Sequence, residues 1–347
     1  MPFSPFSTLS IGSVPFTDIP LVFDLLGANV DIPASPQLVR LSPWEDMLMG
    51  AVDGIDFLAA DEESRVITVP LKNREENLAS FYEKYYSGDP SFLEKTERSK
   101  LGFSSFAARA SSDANFGREF LKTQIVGPLT FGQSVKVEGG FALADDPGLI
   151  EAACLALGAK LALEARVIRD LGRKPVVFLD EPGLTGYGSA FSTLSEELVL
   201  NSLNSAAQAA RSLGEVTVGC HVCGNTDWGL LAKADIDIIN CDAFEYVESV
   251  CLYPKELAGF LERGGWLAWG IVPTQGYVPG VTAGELANRL SMGLEALVRR
   301  GVDGKLLKER ALVTSSCGLG GLGEETARKV LELFPSVSGA LREKFGK

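Results

Sequence analysis

Eight short apolar runs rich in β-branched residues recur along this chain, and amphipathic helical patterns separate most of them. The candidate strands are Leu9–Val14, Gln37–Leu41, Thr123–Val126, Pro175–Leu179, Val216–His221, Ile236–Cys241, Trp266–Ile271 and Ala311–Thr314. Helical periodicity marks Ile150–Gly172, Ser195–Gly214, Pro254–Arg263, Ala283–Gly301 and Glu324–Lys344. Gly172, Gly214 and Gly301 stand where helices stop, as C-capping favours. Nearly continuous apolar strands alternating with helices predict a parallel sheet covered on both faces. Eight such units predict an α/β fold, a closed (β/α)8 TIM barrel forming one catalytic domain over residues 1–347. The alternative is an open α/β sheet. Against it, the only glycine-rich run, Gly318–Gly323, follows the last strand, with no βαβ unit after it to build a dinucleotide half-domain.

The stretch from about residue 51 to 121 is too long for one barrel connection and rich in Ser, Asp, Glu, Tyr and Phe. It reads as a strand pair plus helices inserted after the second strand, and long insertions at this face of a barrel often serve as lids. A solvated decoration without a role is the competing reading.

Partners are bounded by charge. Asp and Glu number 45 against 32 Lys and Arg, a net charge of -13, with no basic cluster. Phosphate backbones and anionic lipid would repel such a surface, so neither nucleic acid nor a membrane is an expected partner. The N-terminal MPFSPFSTLSIGS lacks the basic and apolar regions of a signal peptide, and no run reaches the roughly 18 apolar residues of a membrane span. A soluble, cytoplasmic protein is expected. Six cysteines are too few for a disulfide scaffold, and clustered cysteines in such a chain point to metal or catalysis.

The chain has one histidine, His221, inside Gly219-Cys220-His221-Val222-Cys223-Gly224-Asn225. On an extended segment, residues i and i+2 point the same way, so His221 and Cys223 can face one point. Imidazole and thiolate are good zinc ligands. A third donor, Cys317, follows the last strand, and the C-terminal ends of barrel strands meet at one mouth. The sixth strand ends there too, offering Asp242 as fourth ligand, with Glu245 or Cys241 as alternatives. A structural Cys/His site competes with this reading, but such sites draw their ligands from paired short-range motifs rather than separate strands. Cys154 and Cys251 read as buried small hydrophobes, and Cys220 alternates outward. Asp180 and Glu181 end the fourth strand at the mouth, where a carboxylate can pair with an amino group; a salt bridge is the bland reading. Tyr187, Phe191, Trp228, Trp269 and Tyr277 are candidate site walls, each equally explicable as packing.

At these residues the chain resembles known families. His221-Val222-Cys223-Gly224-Asn225-Thr226 is similar to the zinc motif of the methylcobamide:thiol methyltransferases. Ser316-Cys317-Gly318-Leu319 resembles the third zinc-ligand motif of the cobalamin-independent methionine synthases. Both belong to the barrel superfamily that includes uroporphyrinogen decarboxylase. Ile11-Gly12-Ser13 resembles the segment of methionine synthase that cradles homocysteine, Gly127-Pro128-Leu129-Thr130 its third-strand signature, and Leu179-Asp180-Glu181-Pro182-Gly183-Leu184 its acidic motif.

The resemblance implies a short "core" methionine synthase. Zn2+ would bind the thiolate of homocysteine, and the methyl would come from methylcobalamin or a related methylcorrinoid, free or on a corrinoid protein. Asp180 would grip the amino group and Ser13 the carboxylate, with Ile11 and Gly12 lining the substrate and Glu181 in the catalytic pair. The family's acid six positions after Asp180 falls on Gly186, and its separate catalytic histidine has no counterpart. A folate leaving group needs protonation whereas Co(I) does not, which favours the corrinoid donor. The same transfer to another thiol, a metal-free decarboxylase and a non-catalytic corrinoid or metal binder are the alternatives.

Overall fold

A computed structural model of the chain describes residues 3–188, 194–277 and 279–345. The strands in chain order are β1 (Ser7–Thr8), β2 (Ala59–Asp61), β3 (Val66–Val69), β4 (Phe120–Val126), β5 (Lys136–Val137), β6 (Lys174–Asp180), β7 (Thr217–Val222), β8 (Ile238–Cys241), β9 (Trp266–Val272) and β10 (Ala311–Ser315). Seven of them form one parallel sheet in the order β1-β10-β9-β8-β7-β6-β4. Helices connect successive strands, including Pro147–Asp170, Glu196–Ala210, Pro254–Glu262 and Ala283–Arg299. The result is a curled α/β half-barrel of TIM-barrel type.

Among the described residues, the second of the eight expected strands is absent from the sheet. Residues 38–41 form a turn rather than the predicted strand Gln37–Leu41. The preceding segment instead makes single bridges to both sheet edges: Ile32 to Leu9, Gln37 to Ser13, and Ala34 to Lys122. Pro33 and Pro36 supply no N–H, so this segment lies alongside without forming a regular ladder. The closed barrel of eight strands is corrected accordingly to seven strands and a bridging segment. The first strand is also displaced, to Ser7–Thr8, which leaves Ile11-Gly12-Ser13 beyond its end.

Period two sets the interior. Phe120, Val176, Phe178, Ile238, Trp266, Ala268 and Leu312 pack together with Phe3, Leu9 and Ile32 inside the curl. Polar residues follow two positions further along the same faces: Lys122 after Phe120, Asp180 after Phe178, Asn240 after Ile238 and Thr314 after Leu312. All four are buried. The alternate residues, such as Cys220, Cys241 and Trp269, pack outward against the helices.

Between the bridging segment and β4, a β2/β3 hairpin pairs with β5, and the helices Arg74–Tyr86 and Leu101–Ser112 follow. Asp53 anchors this stretch. Its carboxylate accepts bonds from Thr96 Oγ1 (2.7 Å), Arg98 Nε (2.7 Å) and Ser99. Lys160, buried on the long helix Pro147–Asp170, donates to the carbonyls of Asp53 and Leu93. Among the described residues, no helix is long and apolar enough to cross a membrane.

Candidate functional site

His221 lies near the C-terminal end of β7, in register with Asp180 on β6 and Asn240 on β8. Gly219 lets β7 approach closely, since a Cβ there would meet the Phe178 ring at 2.4 Å. Just past the strand, Gly224 packs on Thr185, and Asn225 accepts a bond from Gly186 N (2.7 Å), which joins the loops after β6 and β7. Cys223 is thus fixed two residues beyond His221. Cys317 arrives from the loop after β10.

The ligand atoms of His221, Cys223 and Cys317 all lie within 4.8 Å of one another. His221 is buried, while both cysteines keep partial exposure. The hydrogen bond from Cys223 draws the Cys317 thiol well below its ordinary value against the opposing effect of burial, and the His221 ring adds to the pull. Cys223 is pushed up in turn, chiefly as the donor to Cys317. Burial works against a charge on His221, but Cys317 and Asp180 outweigh it and raise the ring above its ordinary value.

Asn240 is a site residue that the strand-end reading passes over. His221 Nδ1 lies 2.6 Å from Asn240 Oδ1, and Asn240 Nδ2 donates to Ala268 O (2.8 Å) and Thr314 Oγ1 (2.9 Å). An amide alternating with apolar residues on a buried strand is the sequence signal that marks it.

Asp180 and Glu181 part company. Asp180 Oδ1 is buried and without a hydrogen-bond partner, and burial raises its carboxyl against the pull of Lys122 and His221. Glu181 faces the other side of the strand and is fully buried. Its oxygens accept from Leu129 N (3.0 Å), Thr130 N (2.8 Å) and Thr130 Oγ1 (2.6 Å), at the start of the helix Pro128–Ser134. Gly127 makes room for it, since a Cβ there would touch the Glu181 carboxylate. Burial pushes Glu181 up to about 7 despite these donors.

The segment 11–13 sits beside the Cys317 loop. Ser13 O accepts from Leu319 N (2.8 Å), Ser13 Oγ accepts from Gly320 N (3.3 Å), and Gly318 packs on that hydroxyl. Gly12 lies against the Gln124 amide, and Lys122 Nζ donates to Ile11 O and to Gln124 Oε1 (3.0 Å). Asp242 is not among the clustered donors. Its carboxylate caps the helix Ala243–Val250, accepting from Glu245 N at 2.9 Å. Of its alternatives, Cys241 points outward into the core and Glu245 is exposed. Cys154, Cys220 and Cys251 are buried. Trp228 and Trp269 are fully buried packing, Tyr187 and Tyr277 are half-buried, and Phe191 lies outside the described residues.

Among solved structures, a B12-independent methionine synthase from Shewanella sp. W3-18-1, in complex with selenomethionine, superposes with a TM-score of 0.60. Identity is 16%, over 98% of this chain and 99% of that one. The two chains share a fold. A dihydropteroate synthase from Thermus thermophilus matches at a TM-score of 0.26 and 14% identity, over 78% of this chain and 91% of that one. No protein-family model and no curated protein matches the sequence.

Proposed function

We propose that this chain is a methyltransferase of the methionine synthase type, acting on the sulfur of homocysteine, with a zinc ion held by His221, Cys223 and Cys317. The observation that carries this reading is the convergence of those three donors within 4.8 Å at the C-terminal end of the sheet. Enzymes with this kind of barrel place their chemistry at that end. Two thiolates and one imidazole suit zinc, and three protein ligands leave a fourth position for substrate, as catalytic rather than structural sites do. Asp242, occupied in capping a helix, is not needed in the set.

Bound there, zinc supplies the Lewis acidity that keeps a substrate thiol deprotonated at neutral pH. The chain's own groups bind and orient. The unpaired Oδ1 of Asp180 accepts a hydrogen bond from the ammonium of an amino acid substrate. Ser13, held against Gly318 and Gly320, has a hydroxyl hydrogen left to offer a carboxylate. Lys122 and Gln124 brace the backbone of residues 11–12 from below. A substrate gripped at both ends presents its sulfur in one orientation, and such positioning lowers the barrier to an in-line transfer. Glu181 contributes by fixing the neighbouring helix, not by touching substrate.

The methylcorrinoid donor expected from the sequence, and a corrinoid protein as its carrier, find no support in the structure, and the solved neighbour is described as B12-independent. The experiment therefore carries two donors. Anaerobic zinc-loaded protein is given homocysteine with methylcobalamin in one arm and a methylated folate in the other, and methionine is assayed. One zinc per chain, and methionine formation that vanishes in Cys317→Ala, is the expected result. Protein that retains no zinc, or a Cys317→Ala variant with undiminished turnover, would sink the proposal.

A further inference from the structure

We propose that Asn240 is a positioning residue that fixes the tautomer of His221, placing the ring proton on Nδ1 and leaving the Nε2 lone pair for the metal. The inference rests on the metal reading of the site and adds to it the group that aims the imidazole.

The donors and acceptors around Asn240 admit one arrangement. Ala268 O, 2.8 Å away, is a carbonyl and can only accept. Thr314 Oγ1, 2.9 Å from the same amide atom, spends its own hydrogen on Ser315 O (2.9 Å), so toward Asn240 it too accepts. Both neighbours on that side demand the amide nitrogen. The amide oxygen must then face His221 Nδ1, 2.6 Å away. An amide oxygen has no hydrogen to give, so Nδ1 donates and carries the proton in the neutral ring. The chain of bonds runs from β10 through β8 to β7, all of it buried. With Nδ1 committed, Nε2 is the nitrogen left to the cysteine cluster. Metal-binding histidines are held in just this way, by a partner on the nitrogen remote from the ion, and losing it typically weakens binding tenfold to a hundredfold.

The register explains why an amide serves here. His221 pairs with Asn240, and Asn240 with Ala268, so the three stand at one level across β7, β8 and β9. A carboxylate at position 240 would accept from His221 but leave Ala268 O and Thr314 without their donor, and would bury another charge beside Asp180.

Since His221 is the only histidine in the chain, protein grown on nitrogen-15 histidine reports on one ring. In zinc-free protein at alkaline pH, where the ring is neutral, the expected spectrum has a protonated Nδ1 and a pyridine-like Nε2. The reverse pattern overturns the proposal. Independently, chelator competition should give Asn240→Leu a zinc affinity about 10–100-fold below wild type. Asn240→Asp, which keeps the acceptor, should recover most of that loss. A folded Asn240→Leu variant with wild-type affinity also overturns it, and if that variant does not fold, the wild-type spectrum decides. Wild-type protein that binds no zinc would sink the proposed function, yet the tautomer spectrum would still decide this inference.

Discussion

The carboxylates of Asp180 and Glu181, adjacent at the end of β6, lie on opposite faces of the sheet: the first is unpaired beside the cysteine cluster, the second bonded to the start of a helix. Strand geometry imposes this, because successive side chains alternate. Their substitutions should therefore fail in different ways. Asp180→Asn should keep its zinc and its fold but raise the KM for homocysteine roughly 10–100-fold, the worth of one charge-assisted bond. Steady-state kinetics with metal analysis measures this, and an unchanged KM would remove Asp180 from substrate binding.

Glu181→Ala should behave as a stability variant. It strips the acceptor from two buried backbone N–H groups at Leu129 and Thr130, which costs roughly 1–3 kcal/mol. Urea unfolding should show that loss while zinc stoichiometry stays at the wild-type value. A fully stable variant with abolished turnover would instead return Glu181 to the chemistry.

Asp242 and Cys317 can be separated by metal content. Asp242→Ala removes a helix cap, worth about 1 kcal/mol, and should leave the zinc count unchanged. Cys317→Ala should lower it. If Asp242→Ala sheds its metal instead, the carboxylate is a ligand after all.

Asp53 sets an acid limit on stability. Burial pushes its carboxyl up, but the bonds from Arg98, Ser99 and Thr96 outweigh it and hold the group at about 2, below its ordinary 3.8. A depressed carboxylate stabilises the fold fully above about pH 4 and loses that contribution as pH falls towards 2, on the order of 2 kcal/mol here. Asp53→Asn should be less stable at neutral pH and show a shallower fall between those pH values. Parallel pH profiles for the two proteins would count against the anchor.

The strands from β6 to β10 are legible in the sequence because each is a near-continuous apolar run between helices, and their predicted and observed limits agree within a few residues. The second strand is not. Leu38, Val39 and Leu41 mimic a strand by composition, whereas the segment that spans the sheet edges carries Pro33 and Pro36. At the site, the i, i+2 spacing of His221 and Cys223 and the strand-end position of Cys317 are enough to place all three donors together. Asp242 is ambiguous in sequence because an acid at a strand end fits both a ligand and a cap. Glu245 three residues on is the sign of a cap. Asn240 escapes because its role depends on hydrogen bonds to β7, β9 and β10, which are remote in sequence.

Ser13 and the Gly318–Gly320 turn interlock across 307 positions of sequence, and Cys317, the third donor of the cluster, stands immediately before that turn. While the chain is being made, His221 and Cys223 emerge long before Cys317, so a growing polypeptide offers a metal only two of its three donors. If these three residues hold zinc, its capture would belong to the finished polypeptide rather than the emerging one. A product of premature termination before β10 would not only lack a strand; it would leave His221 and Cys223 without the donor that completes their cluster.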